Sequence, residues 1–200
     1  MRLVNFFKKN REKAALKNED EALRYLPSFC EDDYCQIEIV PYANKEYILK
    51  TFKQIEKLAN NSKTDFGFTE IYGRRQMPVT TFCKETRIHY LEALLSGFEF
   101  EKAKSINYNS QKILDCEVGP IKGHGFSAFT IFFDTEDVFV KNIWLSISLI
   151  VDVKQYGLVE SALHCLGEDC DMTLVDWNSL KLFDLKDRKQ VNEYLMDYWK

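Results

Sequence analysis

Two cysteine pairs share one spacing, Cys30-Glu-Asp-Asp-Tyr-Cys35 and Cys165-Leu-Gly-Glu-Asp-Cys170. Four thiolates can close a tetrahedron around zinc, and His164 stands beside the second pair. The usual zinc hook, however, is tighter and carries a turn glycine, which neither pair reproduces. Cys30, Cys35, Cys165 and Cys170 are thus the candidate ligands of a zinc-stabilised interaction module. The competing reading treats them as small apolar side chains. That second reading is the one taken, with no metal and no other cofactor expected.

A nucleophilic cysteine needs a base within hydrogen-bond reach, and the chain has only three histidines, His89, His124 and His164. His124 lies in Gly119-Pro-Ile-Lys-Gly-His-Gly125, which reads as a loop between strands. With a nearby carboxylate or cysteine it would serve a small hydrolase or transferase. The glycines could present backbone N–H groups to an anion with help from Lys122, but the spacing matches no phosphate loop or dinucleotide motif. No catalytic residue is assigned.

Carboxylates gather at Glu31-Asp32-Asp33, at Asp134, Glu136 and Asp137, and at Glu168, Asp169 and Asp171. Such runs are usually solvated, yet together they describe an acidic face that would hold a basic partner through complementary charge. Glu31, Asp32, Asp33, Glu168, Asp169 and Asp171 are the expected contact residues. Arg74 and Arg75 beside Tyr72 could touch phosphate, but the net charge of −4 argues against a nucleic-acid binder.

Elements must hold these groups in place. The 200 residues, 46% hydrophobic and 14% aromatic, can fill a sizeable core. Ile143–Val153 carries apolar residues at every odd position, so it reads as one long strand with one face in a core. Ser127–Phe133 is its expected neighbour. Gln36–Val40, Asp65–Tyr72, Pro78–Phe82 and Lys112–Val118 read as further strands.

Lys45–Leu58 reads as a helix with Ile48, Phe52, Ile55 and Ala59 on one face and Asn44 as N-cap. Glu85–Ser96 is a second helix, and Gly157–Leu166 reads as a third that stops at Gly167, with a strand as the alternative. Met172–Asp176 and Leu180–Leu185 flank Trp177-Asn178-Ser179 as a hairpin. A capping box at Asp187 and Gln190 then starts an amphipathic helix with Val191, Tyr194, Leu195, Tyr198 and Trp199 inward.

The expectation is an α+β fold, a mainly antiparallel sheet with helices packed on it, ending in that hairpin and helix. Residues 1–26 form a charged helical segment and residues 27–200 one domain. The apolar patch at Leu3, Val4, Phe6 and Phe7 is too short for a signal peptide, and no run is long enough for a membrane helix. The compartment expected is therefore the cytoplasm, with reduced thiols.

Two stretches, Phe6-Phe7-Lys8-Lys9 and Leu174-Val175-Asp176-Trp177-Asn178-Ser179-Leu180 running into Phe183-Asp184-Leu185, resemble small cytosolic bacterial immunity proteins of polymorphic and contact-dependent toxin systems. The resemblance implies a non-enzymatic α+β protein that binds and occludes a cognate toxin. It carries over no functional residue. The sequence carries no signal of an oligomeric state.

Overall fold

The computed structural model describes residues 25–65, 67–70, 72–81 and 84–200. In chain order the elements are β1 (Ser28–Phe29), β2 (Ile37–Pro41), α1 (Lys45–Ser62), β3 (Lys63–Thr64), β4 (Gly67–Phe68), α2 (Ile88–Ser96), β5 (Glu101–Lys102), β6 (Ser105–Tyr108), β7 (Lys112–Asp115), β8 (Ile121–Phe126), β9 (Phe129–Glu136), β10 (Phe139–Ile147), α3 (Val153–Cys170), β11 (Met172–Asp176), β12 (Lys181–Asp184) and α4 (Arg188–Met196). Seven strands join in the order β12-β11-β2-β10-β9-β8-β5, each antiparallel to its neighbours. The fold is α+β.

Both faces of this sheet are covered, and strand alternation decides which side chain goes where. Ile39, Ile131, Phe133, Ile143, Leu145 and Leu174 point to one face. There they pack with Leu91 and Leu95 of α2, Val159, Leu163 and Leu166 of α3, and Val191, Tyr194 and Leu195 of α4. Phe132 and Trp144 point to the other face. They meet Phe29, Cys35 and Ile106 under a small sheet of order β1-β6-β7. Further along that face, Val40, Val175 and Trp177 are covered by Ile48 and Phe52 of α1. Two separate lids, the small sheet and α1, therefore sit on the same side.

The expected strand pairing is present, with Ile143 opposite Phe133 and Leu145 opposite Ile131. The long strand itself is displaced. It spans Phe139–Ile147, and beyond it Val151 and Val153 are 68% and 75% exposed. Five residues past the strand, Asp152 starts α3, its side chain accepting from the Gln155 N–H. Gly167 does not stop that helix, which continues to Cys170.

Among the described residues of the other expected strands, Asp65–Tyr72 contributes Gly67–Phe68, and no strand covers Pro78–Thr81 of Pro78–Phe82, whose last residue lies outside them. The C-terminal hairpin and helix form as expected, with Thr173 opposite Asp184, but the helix ends at Met196 and leaves Tyr198 and Trp199 beyond it, Trp199 bridging to Ile150. Asp187 caps α4 at the Lys189 N–H, while Gln190 bonds the Asp187 side chain and accepts from the Asp184 N–H in place of a reciprocal box. The helical segment expected over residues 1–26 lies outside the described residues except for its end. Tyr25 and Leu26 there have no regular structure, and Tyr25 is buried with its hydroxyl 3.0 Å from that of Thr130.

Candidate functional site

A cleft of about 710 Å³ opens where the two lids leave the sheet uncovered. Its origin is a proline. Gln36 accepts from the Trp177 N–H and Tyr42 donates to the Asp171 carbonyl, so even-numbered backbone groups of this stretch face β11. Odd-numbered ones, Pro41 included, face β10. Pro41 brings no N–H to that side, and the register of β2 with β10 is the pair Glu38 and Trp144. The strands part beyond it.

Residues 77–81 enter the gap. The Asn44 side chain donates to the Val79 carbonyl at 2.7 Å and accepts from the Val79 N–H at 3.0 Å, while the Thr81 hydroxyl donates to the carbonyls of Val140 and Lys141. Asn44 is thus a buried tether and makes no side-chain cap on α1.

Polar groups converge on the cleft floor. Trp177 Nε1 donates to Glu38 at 2.9 Å, and Arg74 Nη1 lies 3.5 Å from the other oxygen of Glu38. The Arg74 guanidinium stacks 4.6 Å from the Trp177 ring centre and donates to the Cys35 carbonyl at 3.0 Å. Burial pushes the Glu38 carboxyl above its usual range, against the opposing pull of Arg74 and of the Trp177 and Cys35 donors.

Beside it, Tyr34 donates to Asp134 at 2.7 Å. A bulge in β10 between Val140 and Asn142 aims the Asn142 amide at Tyr34 and at both Asp134 oxygens. Burial, then the Asp134 contact, holds the Tyr34 hydroxyl protonated.

The five described thiols are all held as thiols. Burial, then the Glu38 charge, raises Cys35; burial raises Cys116 and Cys170 to about 11. Burial and donation to Asp169 raise Cys165 to about 12, and donation to Asp33 raises Cys30. A raised thiol is a poor nucleophile. The two expected cysteine pairs also fail to meet. Cys35 packs beside Trp144 under the small sheet, whereas Cys170 packs on the helical face. Among the described residues no group of three or more His, Cys, Asp and Glu side chains could hold a metal ion. Cys83 lies outside them.

His124 sits in strand β8, which corrects the loop expected over Gly119–Gly125. The glycines serve packing. A Cβ on Gly125 would lie 2.0 Å from the Phe129 carbonyl oxygen, and one on Gly123 would touch Phe132. The imidazole is fully buried, stacks on Phe133, and has no hydrogen-bond partner on either nitrogen. Burial lowers its pKa to about 4 despite Glu92, whose Oε1 lies 3.9 Å from Nε2. It is not among the residues lining the cleft.

The expected acidic residues divide. Glu31, Asp32 and Asp33 form an exposed 3-10 turn immediately before Tyr34 and Cys35 of the cleft wall, and make no ion pair among the described residues. Glu168 and Asp169 are exposed at the end of α3, and Asp171 is bridged by Lys84 and Lys186 at 3.1 and 2.8 Å. Asp171 adjoins Tyr42, so this group stands past the far end of β2 from Glu31.

Known proteins offer no match. Neither a family model nor a curated protein nor a solved structure is significantly similar to the chain. Sequence reading missed Glu38, Arg74, Asn142 and Trp177 as a constellation. The signal available was Val40-Pro41, a proline ending a strand whose neighbours are both central. No helix among the described residues is long and apolar enough to cross a membrane.

Proposed function

We propose that this chain is a non-enzymatic, cytoplasmic protein-binding module that occludes a basic protein partner, in the manner of an immunity-type inhibitor of a toxin. The observation that carries the reading is the Glu31–Asp33 turn. Three consecutive acids are exposed, lack a cationic partner among the described residues, and lead directly into the wall of the cleft. Uncompensated charge of this kind draws an oppositely charged surface and raises the association rate, while adjoining apolar groups such as Met77 and Val79 supply contact area.

The reading is tested by affinity capture from the source cell's lysate with salt elution. The partner retained should be basic, and Glu31→Lys with Asp32→Lys should release it at markedly lower salt. Reversal of Glu168 and Asp169 should have a smaller effect, since Asp171 beside them is already neutralised by two lysines. Equal retention by the Glu31 and Asp32 variant would remove the acidic turn from the interface.

A further inference from the structure

Arg74 occupies a seat made of three different groups: the face of Trp177, the carboxylate of Glu38 and the carbonyl of Cys35. An aromatic plane with two acceptors at its edge is the environment that selects a guanidinium over an ammonium. The flat cation stacks while its N–H groups fork to the oxygens. Trp177 is itself fixed by its bond to Glu38 and by edge contact with Phe52 at 5.4 Å, so the seat is built by the sheet and α1 and does not depend on Arg74 for its shape.

The hold on Arg74 is loose by comparison. Its nearest approach to Glu38 is 3.5 Å, its side chain is 29% exposed, and residues 72–77 have no regular secondary structure. Gly73 has open space around it, and the cleft beside the seat is large enough to admit another side chain.

We propose that the Trp177–Glu38–Cys35 seat is a guanidinium-binding site, filled by Arg74 in the free protein and by an arginine of the basic protein partner in the complex. This rests on the partner reading above. Exchange of one guanidinium for another leaves the half-buried carboxylate of Glu38 paired in both the free and the bound state, so neither holds an isolated charge in the cleft. The Glu31–Asp33 turn brings the basic surface to the cleft, and the seat then reads arginine.

The test needs no partner, so its failure and failure of the partner reading are separate results. Arg74→Ala empties the seat and should lower the thermal midpoint by about 4–8 °C. Ethylguanidinium should restore part of that loss saturably, half-maximal at roughly 10 mM. Ethylammonium at equal concentration should not, and Arg74→Ala combined with Glu38→Gln should not respond. Arg74→Gln gives the same comparison if the alanine variant is too unstable to purify. No saturable difference between the two cations on either variant would overturn the proposal, as would an equal response after Glu38→Gln.

Discussion

Two glycines ten residues apart in α3 should respond to alanine with opposite sign. Gly157 has no atom within 4 Å of where a Cβ would stand, so Gly157→Ala adds a methyl group in open space. It should gain the helix-propensity difference of about 0.8 kcal/mol. At Gly167 the same methyl would lie 2.4 Å from the Leu185 carbonyl carbon, 2.6 Å from the Lys186 nitrogen and 2.7 Å from the Leu185 oxygen. These are main-chain atoms of the link between β12 and α4, so no side chain can swing aside.

Relief requires α3 to move off that link by about an ångström, which overpacking studies put at about 1–3 kcal/mol. The shift also strains the bond in which His164 Nδ1 donates to the Leu185 carbonyl at 2.9 Å, worth about 1 kcal/mol. Against the same propensity gain, the net loss for Gly167→Ala is about 1–3 kcal/mol. At roughly 2–4 °C per kcal/mol, Gly157→Ala should raise the thermal midpoint by about 2–3 °C and Gly167→Ala lower it by about 2–12 °C. Urea unfolding followed by both fluorescence and circular dichroism checks the two-state assumption. A Gly167→Ala protein as stable as the wild type would refute the packing of α3 on the β12–α4 link.

Acid should destabilise the protein through His124. Its pKa is about 4 in the fold against 6.5 in the unfolded chain, so its contribution is complete above 6.5 and falls away as pH drops towards 4. The total is about 3 kcal/mol, and His124→Phe should flatten the stability profile in that window, measured by urea titration at stepped pH. Asn44→Ala strips both partners from Val79 and should cost about 2–3 kcal/mol. Limited trypsin digestion should then cut at Arg74 and Arg75 faster, whereas an unchanged rate would mean that Asn44 does not tether the segment. Truncation after Asp187 removes Val191, Tyr194 and Leu195 from the core, at about 1.5–3 kcal/mol each, and should abolish cooperative unfolding.

Local patterns were legible where one interaction dominates. The alternation in Ile37–Ile39 and the hairpin around Trp177–Ser179 rest on strand pleat and turn chemistry, and they form as the residues imply. The Ile48, Phe52 and Ile55 stripe places one face of α1 on Val175 and Trp177 for the same reason. The candidate site was not legible. Glu38, Arg74, Asn142 and Trp177 come from four separate stretches and meet only because Pro41 parts β2 from β10 and residues 77–81 fill the gap. Arg74 reads with Arg75 as a dibasic turn, and each of the others alone reads as an ordinary surface or turn residue.

By itself the amino-acid order determined the α+β class, the antiparallel C-terminal hairpin and the inward faces of α1 and α4, because these follow from periodicity within a dozen residues. Tertiary structure decided that Trp144 is buried while Val151 is exposed, although both belong to one apolar run. It decided that Gly167 is a contact and not a terminus, and that the two acidic groups stand beyond opposite ends of a strand. These outcomes depend on what another segment brings to the far side of a residue, and neighbouring residues in the chain carry no record of that.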